Sequence, residues 1–131
     1  MNINDLVGKK VIKVEQRDED IAILTEDGYK FHFNHHQDCC ESVTVEDVVG
    51  DWNDLVGEVI TLAEEVYNEQ PIPDREWVES YTWTYYKFAS VKGYVDVRWL
   101  GESNGYYSES VDLDIYKLED GKYVRVQASR Y

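Results

Sequence analysis

At 131 residues, 43% apolar and 31% charged, the chain has the size and composition of one soluble globular domain able to bury its own core. Thirteen Lys and Arg against 27 Asp and Glu leave a formal net charge of −14. That charge excludes non-specific binding to nucleic acid and docking on anionic membranes, which both need a concentrated basic footprint, and permits an acidic protein that covers a basic surface on a partner.

No apolar run approaches the ~18–20 residues that span a bilayer. The opening Met1-Asn2-Ile3-Asn4-Asp5 lacks a basic region followed by an apolar one, so the sequence predicts no signal peptide and a cytoplasmic setting. In that setting the only cysteines, Cys39 and Cys40, are expected as reduced thiols.

Asn4 or Asp5 can cap a short first turn ending near Gly8. Lys9 to Gln16 reads as a strand in which Ile12 and Val14 share a face with Lys10 and Gln16, and Val11 falls on the more polar side. Arg17 to Asp20 is a turn, Ile21 to Glu26 a second strand, and Asp27-Gly28 a hairpin signal leading into a third strand from Tyr29 to Phe33. After Val43-Thr44-Val45, the acid-started, glycine-ended stretches Glu46 to Gly50 and Asp51 to Gly57 read as one or two brief helical turns. Glu58 to Tyr67 alternates as a strand, although Ala63-Glu64-Glu65 also suits a helix. Asn68 to Glu79, with Pro71 and Pro73, reads as loop.

Three long strands follow. Tyr81 to Val91 sets Trp83, Tyr85, Lys87 and Ala89 against Thr82, Thr84, Tyr86 and Phe88. Tyr94 to Leu100 turns Val95, Val97 and Trp99 inward and Tyr94, Asp96 and Arg98 to the other face. Tyr106 to Leu118 sets Tyr107, Val111, Leu113 and Ile115 against a polar face of Ser108, Ser110, Asp112 and Asp114 that is expected to be solvated. Asp120-Gly121 makes another hairpin before a last strand from Tyr123 to Gln127. The sum is a mainly β (α+β) fold: one antiparallel-sheet-dominated domain over residues 1–131 with one or two short helices.

Two clusters concentrate the reactive chemistry. The first is His35-His36-Gln37-Asp38-Cys39-Cys40-Glu41. His35, His36, Asp38, Cys39 and Cys40 are all possible zinc ligands, but adjacent cysteines chelate one ion awkwardly and no second ligand pair exists outside residues 32–40. A thiol nucleophile activated by His35 or His36 is a further reading, opposed by the local acids, which raise a thiol pKa. The plain reading is that one cysteine is a small core residue and the other lines a pocket. No cofactor is implied.

The second cluster runs from Arg98 to Glu109. An ordinary hairpin accounts for Gly101, Asn104 and Gly105, with flanking aromatics paired across strands. It explains less well why Arg98, Glu102, Ser103, Tyr106 and Tyr107 crowd one turn. Arg98 can fork onto a phosphate or carboxylate, and Trp and Tyr faces can stack on a base. A small, planar, anionic ligand such as a nucleotide fits that set.

The motifs His35-x-x-Asp38-Cys39-Cys40-Glu41, Glu79-Ser80-x-Thr82-Trp83-Thr84-x-Tyr86-Lys87, Gly93-x-Val95 and Arg98-Trp99-x-Gly101-Glu102-Ser103-Asn104-Gly105-Tyr106-Tyr107-Ser108-Glu109 together resemble a family of small proteins found mainly in phages and their bacterial hosts and described as a domain of unknown function. The resemblance spans about residues 6–113 and leaves 117–131 as a C-terminal extension. It implies a phage context, hence the host cytoplasm, and by analogy a counter-defence role.

Three functions remain open. In the first, a non-enzymatic protein sequesters a nucleotide-derived signal. Arg98 meets the charged group, Trp83, Trp99, Tyr106 and Tyr107 supply stacking surface, Ser103, Asn104, Asp38 and Glu41 orient polar edges, and His35, Cys39 and Cys40 complete the wall. A homo-oligomer would let such pockets form between chains. In the second, an acidic inhibitor occupies a basic site on a host protein. The third is a Cys- or metal-dependent hydrolase. The shared-pocket idea requires the His35–Glu41 loop to lie against the Gly101–Tyr107 turn.

Overall fold

Period-two alternation builds nearly the whole molecule. The computed structural model describes residues 1–70 and 80–128, with the side chains of 67–70 and 128 outside that description. Its strands are β1 (Val11–Gln16), β2 (Ile21–Thr25), β3 (Tyr29–Asn34), β4 (Ser42–Gly50), β5 (Leu62–Gln70), β6 (Ser80–Ser90), β7 (Gly93–Ser103), β8 (Asp112–Glu119) and β9 (Lys122–Ala128). They form two antiparallel sheets, one of five strands in the order β1-β2-β3-β8-β9 and one of four in the order β4-β7-β6-β5. Among the described residues the only helical pieces are two 3-10 turns, Ile3–Leu6 and Trp52–Asp54, and no helix is long and apolar enough to cross a membrane. Pro71 and Pro73 lie outside the described residues, while Asn68–Gln70, expected as loop, continues β5.

The sheets pack face to face. Phe31, Phe33, Leu113 and Ile115 from the first meet Tyr86, Phe88, Val95, Val97 and Trp99 from the second in one buried core. The Phe33 ring lies 4.9 Å from Tyr86 and 5.6 Å from Phe88, centroid to centroid. Full burial of each such side chain is worth about 2–3 kcal/mol.

Two β-bulges account for two departures from the sequence reading. The β1–β2 register slips between Val11 and Lys13, so Val11 turns into the core and Ile12 faces out. The β4–β7 register slips between Val45 and Asp47. Val45 and Val48 therefore both face inward although three positions apart, a spacing that imitates a helical turn. Residues 46–50 are strand, not helix.

A third departure concerns β8. Asp112 and Asp114, expected in solvent, are 2% and 3% exposed. His36 folds back over them: its backbone N–H donates to Asp112 Oδ2 at 2.7 Å and its Nε2 lies 2.9 Å from Asp114 Oδ2. Asn34 Nδ2 donates to the same Asp114 oxygen at 3.1 Å.

The chain passes between the sheets twice at one end of the sandwich, from β3 to β4 through residues 35–41 and from β7 to β8 through 104–111. These crossovers carry the two clusters of reactive chemistry.

Candidate functional site

The first crossover is closed on itself by one carboxylate. Glu41 has a side chain 0% exposed, and Oε2 lies 2.7 Å from His35 Nε2. It also accepts from the backbone N–H of Asp38 at 3.0 Å and of Cys39 at 2.8 Å, and from Gln37 Nε2 at 3.1 Å. Burial raises the Glu41 carboxyl, but the His35 ring and the backbone N–H groups of Cys39, Glu41 and Asp38 outweigh it and hold the group at about 2. His35 Nδ1 donates to the Ser110 carbonyl at 2.7 Å. One imidazole thus ties the two crossovers together.

Asp38, Cys39 and Cys40 lie exposed at the tip of this loop. Cys39 and Cys40 are joined as a disulfide between neighbours rather than standing as the free thiols expected; adjacency alone sets their Cα atoms 3.7 Å apart. Among the described residues no group of three or more His, Cys, Asp or Glu side chains converges as a metal site.

The second crossover folds down over the inner end of β7. Gly101 permits this, since a Cβ there would stand 2.3 Å from the Glu109 carbonyl oxygen. Glu109 reaches inward and takes Thr82 Oγ1 on Oε1 at 2.8 Å and the Ser103 hydroxyl on Oε2. Ser103 Oγ accepts from Gly105 N at 2.9 Å, and Asn104 Oδ1 from Tyr106 N at 3.0 Å. Tyr107 is half-buried and Tyr106 is 89% exposed.

Beneath this segment lies a cleft of about 520 Å³, lined by Ser80, Thr82 and Thr84 of β6, Glu65 of β5, and Tyr107, Ser108, Glu109 and Ser110 of the crossover. Its floor is continuous with the core. The inward positions of β6 run Phe88, Tyr86, Thr84, Thr82, Ser80, so one strand face changes from apolar to hydroxyl-bearing along its length. Tyr86 marks the boundary and donates its phenolic O–H to Glu65 Oε2 at 2.5 Å. Burial, then the charge of Glu65 and its hydrogen bond, push that phenol well above 10.

The two clusters meet at one end, where His35 touches Ser110 and Ser42 pairs with Glu102, but they open on different clefts. His35, Gln37 and Glu41 line a broad hollow of about 790 Å³ with the β1–β2 turn residues Arg17 to Asp20. Of the turn residues, Ser103 and Tyr107 face the hydroxyl cleft or its wall. Arg98 and Trp83 occupy the opposite, outer face of the four-stranded sheet, where the guanidinium lies 4.9 Å over the Trp83 ring. Trp99, expected as stacking surface, is fully buried because its strand position points inward. Sequence reasoning does not single out Glu65, Thr84, Ser80, Ser108 or Ser110. The alternating Ser80, Thr82 and Thr84, in phase with Tyr86 and Phe88, is the signal that points to them.

A family model described as a domain of unknown function, DUF7448, matches residues 4–113, which ends just inside β8 and leaves β9 beyond it. No curated protein and no solved structure matches the chain.

Proposed function

Since the chain belongs to the DUF7448 family, a domain of unknown function, its role has to be read from its own cleft, and we propose that it is a non-enzymatic binding protein for a small ligand bearing a vicinal diol, with a nucleoside as the specific case. The observation that carries this is the passage of the β6 inner face from Phe88 and Tyr86 to Thr84, Thr82 and Ser80 beneath Glu109. Buried hydroxyls on a sandwich interior cost stability unless they are partnered, and here they border an open cleft instead of packed side chains.

A carboxylate accepts two hydrogen bonds from neighbouring hydroxyls, as in ribose recognition by acidic side chains. Glu109, held by Thr82 and Ser103, and Glu65, held by Tyr86, supply such acceptors. The Tyr107 ring offers a flat wall for a base, and Ser108 and Ser110 offer donors and acceptors for its edges. Glu65 and Glu109 both repel a phosphate, so the nucleoside part enters and a phosphate stays at the solvent side. This replaces the expectation of an anion held by Arg98, whose guanidinium lies over Trp83 on the other face of the sheet. Capture without chemistry suits a phage-type factor that removes a nucleotide-derived signal.

Saturation-transfer NMR and calorimetry against ribose, the four ribonucleosides and their 2′-deoxy forms test the proposal. Binding of at least one ribonucleoside is expected, weakened about 10-fold or more by Glu109→Gln or by loss of the 2′-hydroxyl, and unchanged by Arg98→Ala. No binding across the panel, or binding that disappears with Arg98→Ala and persists with Glu109→Gln, would overturn it.

A further inference from the structure

We infer that the outer face of the four-stranded sheet is a contact between two copies of this chain, paired about a two-fold axis that crosses β7 at Val97. This face lies on the other side of the sheet from the ligand cleft and does not depend on it.

The face mixes exposed apolar side chains with charged ones. Val49, Val66 and Tyr94 are each about half exposed, and Tyr85 is 39% exposed. Val49, Val66 and Tyr85 line a groove of about 370 Å³ together with Asp47, Glu64, Lys87, Asp96 and Arg98, the last two standing two positions apart on the same side of β7. Arg98 Nε and Asp96 Oδ1 are both buried without a hydrogen-bond partner among the described residues.

Both side chains nevertheless line the groove, and the register shows how a second copy meets them there. Arg98 stands in one cross-strand row with Asp47 and Tyr85, and Asp96 in the next with Val49 and Lys87. A two-fold axis between these rows, lying in the interface and perpendicular to the strands, exchanges them. Arg98 then faces Asp96 of the second copy and Asp96 faces its Arg98. Tyr85 likewise faces Lys87 of the second copy. The donor–acceptor pair is self-complementary, as an isologous interface requires. A carboxylate against a guanidinium is the strong, forked form of this contact, and Arg with Tyr is the composition of interface hot spots.

The area is adequate. Four strands at ~4.8 Å spacing give a width of about 19 Å, and strands of nine to eleven residues reach about 31–37 Å. A face of roughly 650 Å² falls at the low end of the ~600–1,000 Å² per partner of a standard stable interface. The like charge of the two copies opposes approach, but it is screened beyond ~8 Å at physiological salt, whereas the reciprocal pairs act at contact.

Sedimentation velocity and light scattering on the full chain at ~100 μM, without ligand, test the inference. The wild type is expected at twice 15.4 kDa. Arg98→Asp and Asp96→Arg should each weaken association about 100-fold, and the double swap should restore it, because the exchanged pairs re-form across the axis. Val66→Glu, at an exposed position that tolerates charge, should also weaken association by setting Glu against Glu64 of the second copy; circular dichroism confirms that each variant folds. A monomeric wild type, a dimer indifferent to Arg98→Asp and Val66→Glu, or a double swap that stays monomeric would overturn the inference. Since nucleoside binding is read in a separate experiment on the other face, either result can fail alone.

Discussion

His35 and Glu41 lock the first crossover to the second: the ring lies 2.7 Å from Glu41 Oε2 on one side and 2.7 Å from the Ser110 carbonyl on the other. The side chains are 4% and 0% exposed. Removing one member of such a buried pair leaves the polar atoms of the other and several N–H groups unpaired. Glu41→Ala is expected to cost about 3–5 kcal/mol, and Glu41→Gln somewhat less because it keeps one carbonyl acceptor. Urea denaturation measures both. A His35→Ala/Glu41→Ala double-mutant cycle should show a coupling of about 1–3 kcal/mol; additive losses would show that the pair does not act as a unit.

The same carboxylate sets an acid limit. Glu41 is held at about 2 against 4.5 for the free side chain. Its folded-state pKa is depressed, so its contribution is fully present above the unfolded value and is lost as pH falls from about 4.5 through about 2. The stability gap between wild type and Glu41→Gln should therefore be widest near neutral pH and narrow steadily across that window. A gap that stays constant from pH 7 to pH 2.5 would contradict the assignment.

Gly101 admits the second crossover by close approach, not by backbone freedom. A Cβ would meet Glu109 backbone at 2.3 Å and 3.0 Å, and backbone has little room to give. Gly101→Ala is expected to lift residues 105–111 off β7, to cost about 2 kcal/mol or more, and to weaken ligand capture with it. Gly105 has φ +89°, and a Cβ there would meet no described atom within 4 Å, so it serves as the control. Ala at Gly105 costs only the backbone strain of about 1 kcal/mol. Thermal denaturation ranks the two; equal losses would remove the steric argument.

How much of the fold is legible in the sequence depends on whether a segment keeps its period. β6 and β7 alternate without interruption over eleven residues each, and their inward sets are readable in full. β1 and β4 each insert a bulge, which breaks the period and misdirects the reading of Val11 and of the stretch 46–50. Asp112 and Asp114 look solvated because their partners, His36 and Asn34, lie far away in sequence. The two crossovers are legible as clusters of chemistry. That Arg98 and Ser103 face opposite sides is implicit in their odd separation on one strand, yet the turn motif draws attention to nearness in sequence instead.

The disulfide at the loop tip should matter little to the fold. Cys39 contributes its backbone N–H to Glu41, not its sulfur, and a bridge between neighbours encloses almost no chain to constrain. The Cys39→Ser/Cys40→Ser variant, and the reduced wild type, are expected to melt within a few degrees of the oxidised protein, about 0.5 kcal/mol or less. A large loss would mean that the sulfurs hold the Glu41 loop in place.

Tyr86 joins the core to the cleft and should report on both. Its ring stacks against Phe88 and tilts against Phe33, while its O–H donates to Glu65. Tyr86→Phe keeps the ring and deletes the donor, so it is expected to cost about 1 kcal/mol and to leave Glu65 without its anchor, weakening nucleoside binding more than stability. Burial and the Glu65 charge raise the phenol above its ordinary value of 10. A raised pKa contributes stability that is present below the unfolded value and is lost as pH rises through the folded one. In an absorbance titration of tyrosinate, Tyr86→Phe should therefore remove no step in the folded protein near pH 10, and its loss of stability should shrink only when the protein is taken more alkaline. A tyrosinate step near pH 10 that disappears in Tyr86→Phe would place the Tyr86 hydroxyl in solvent and away from Glu65.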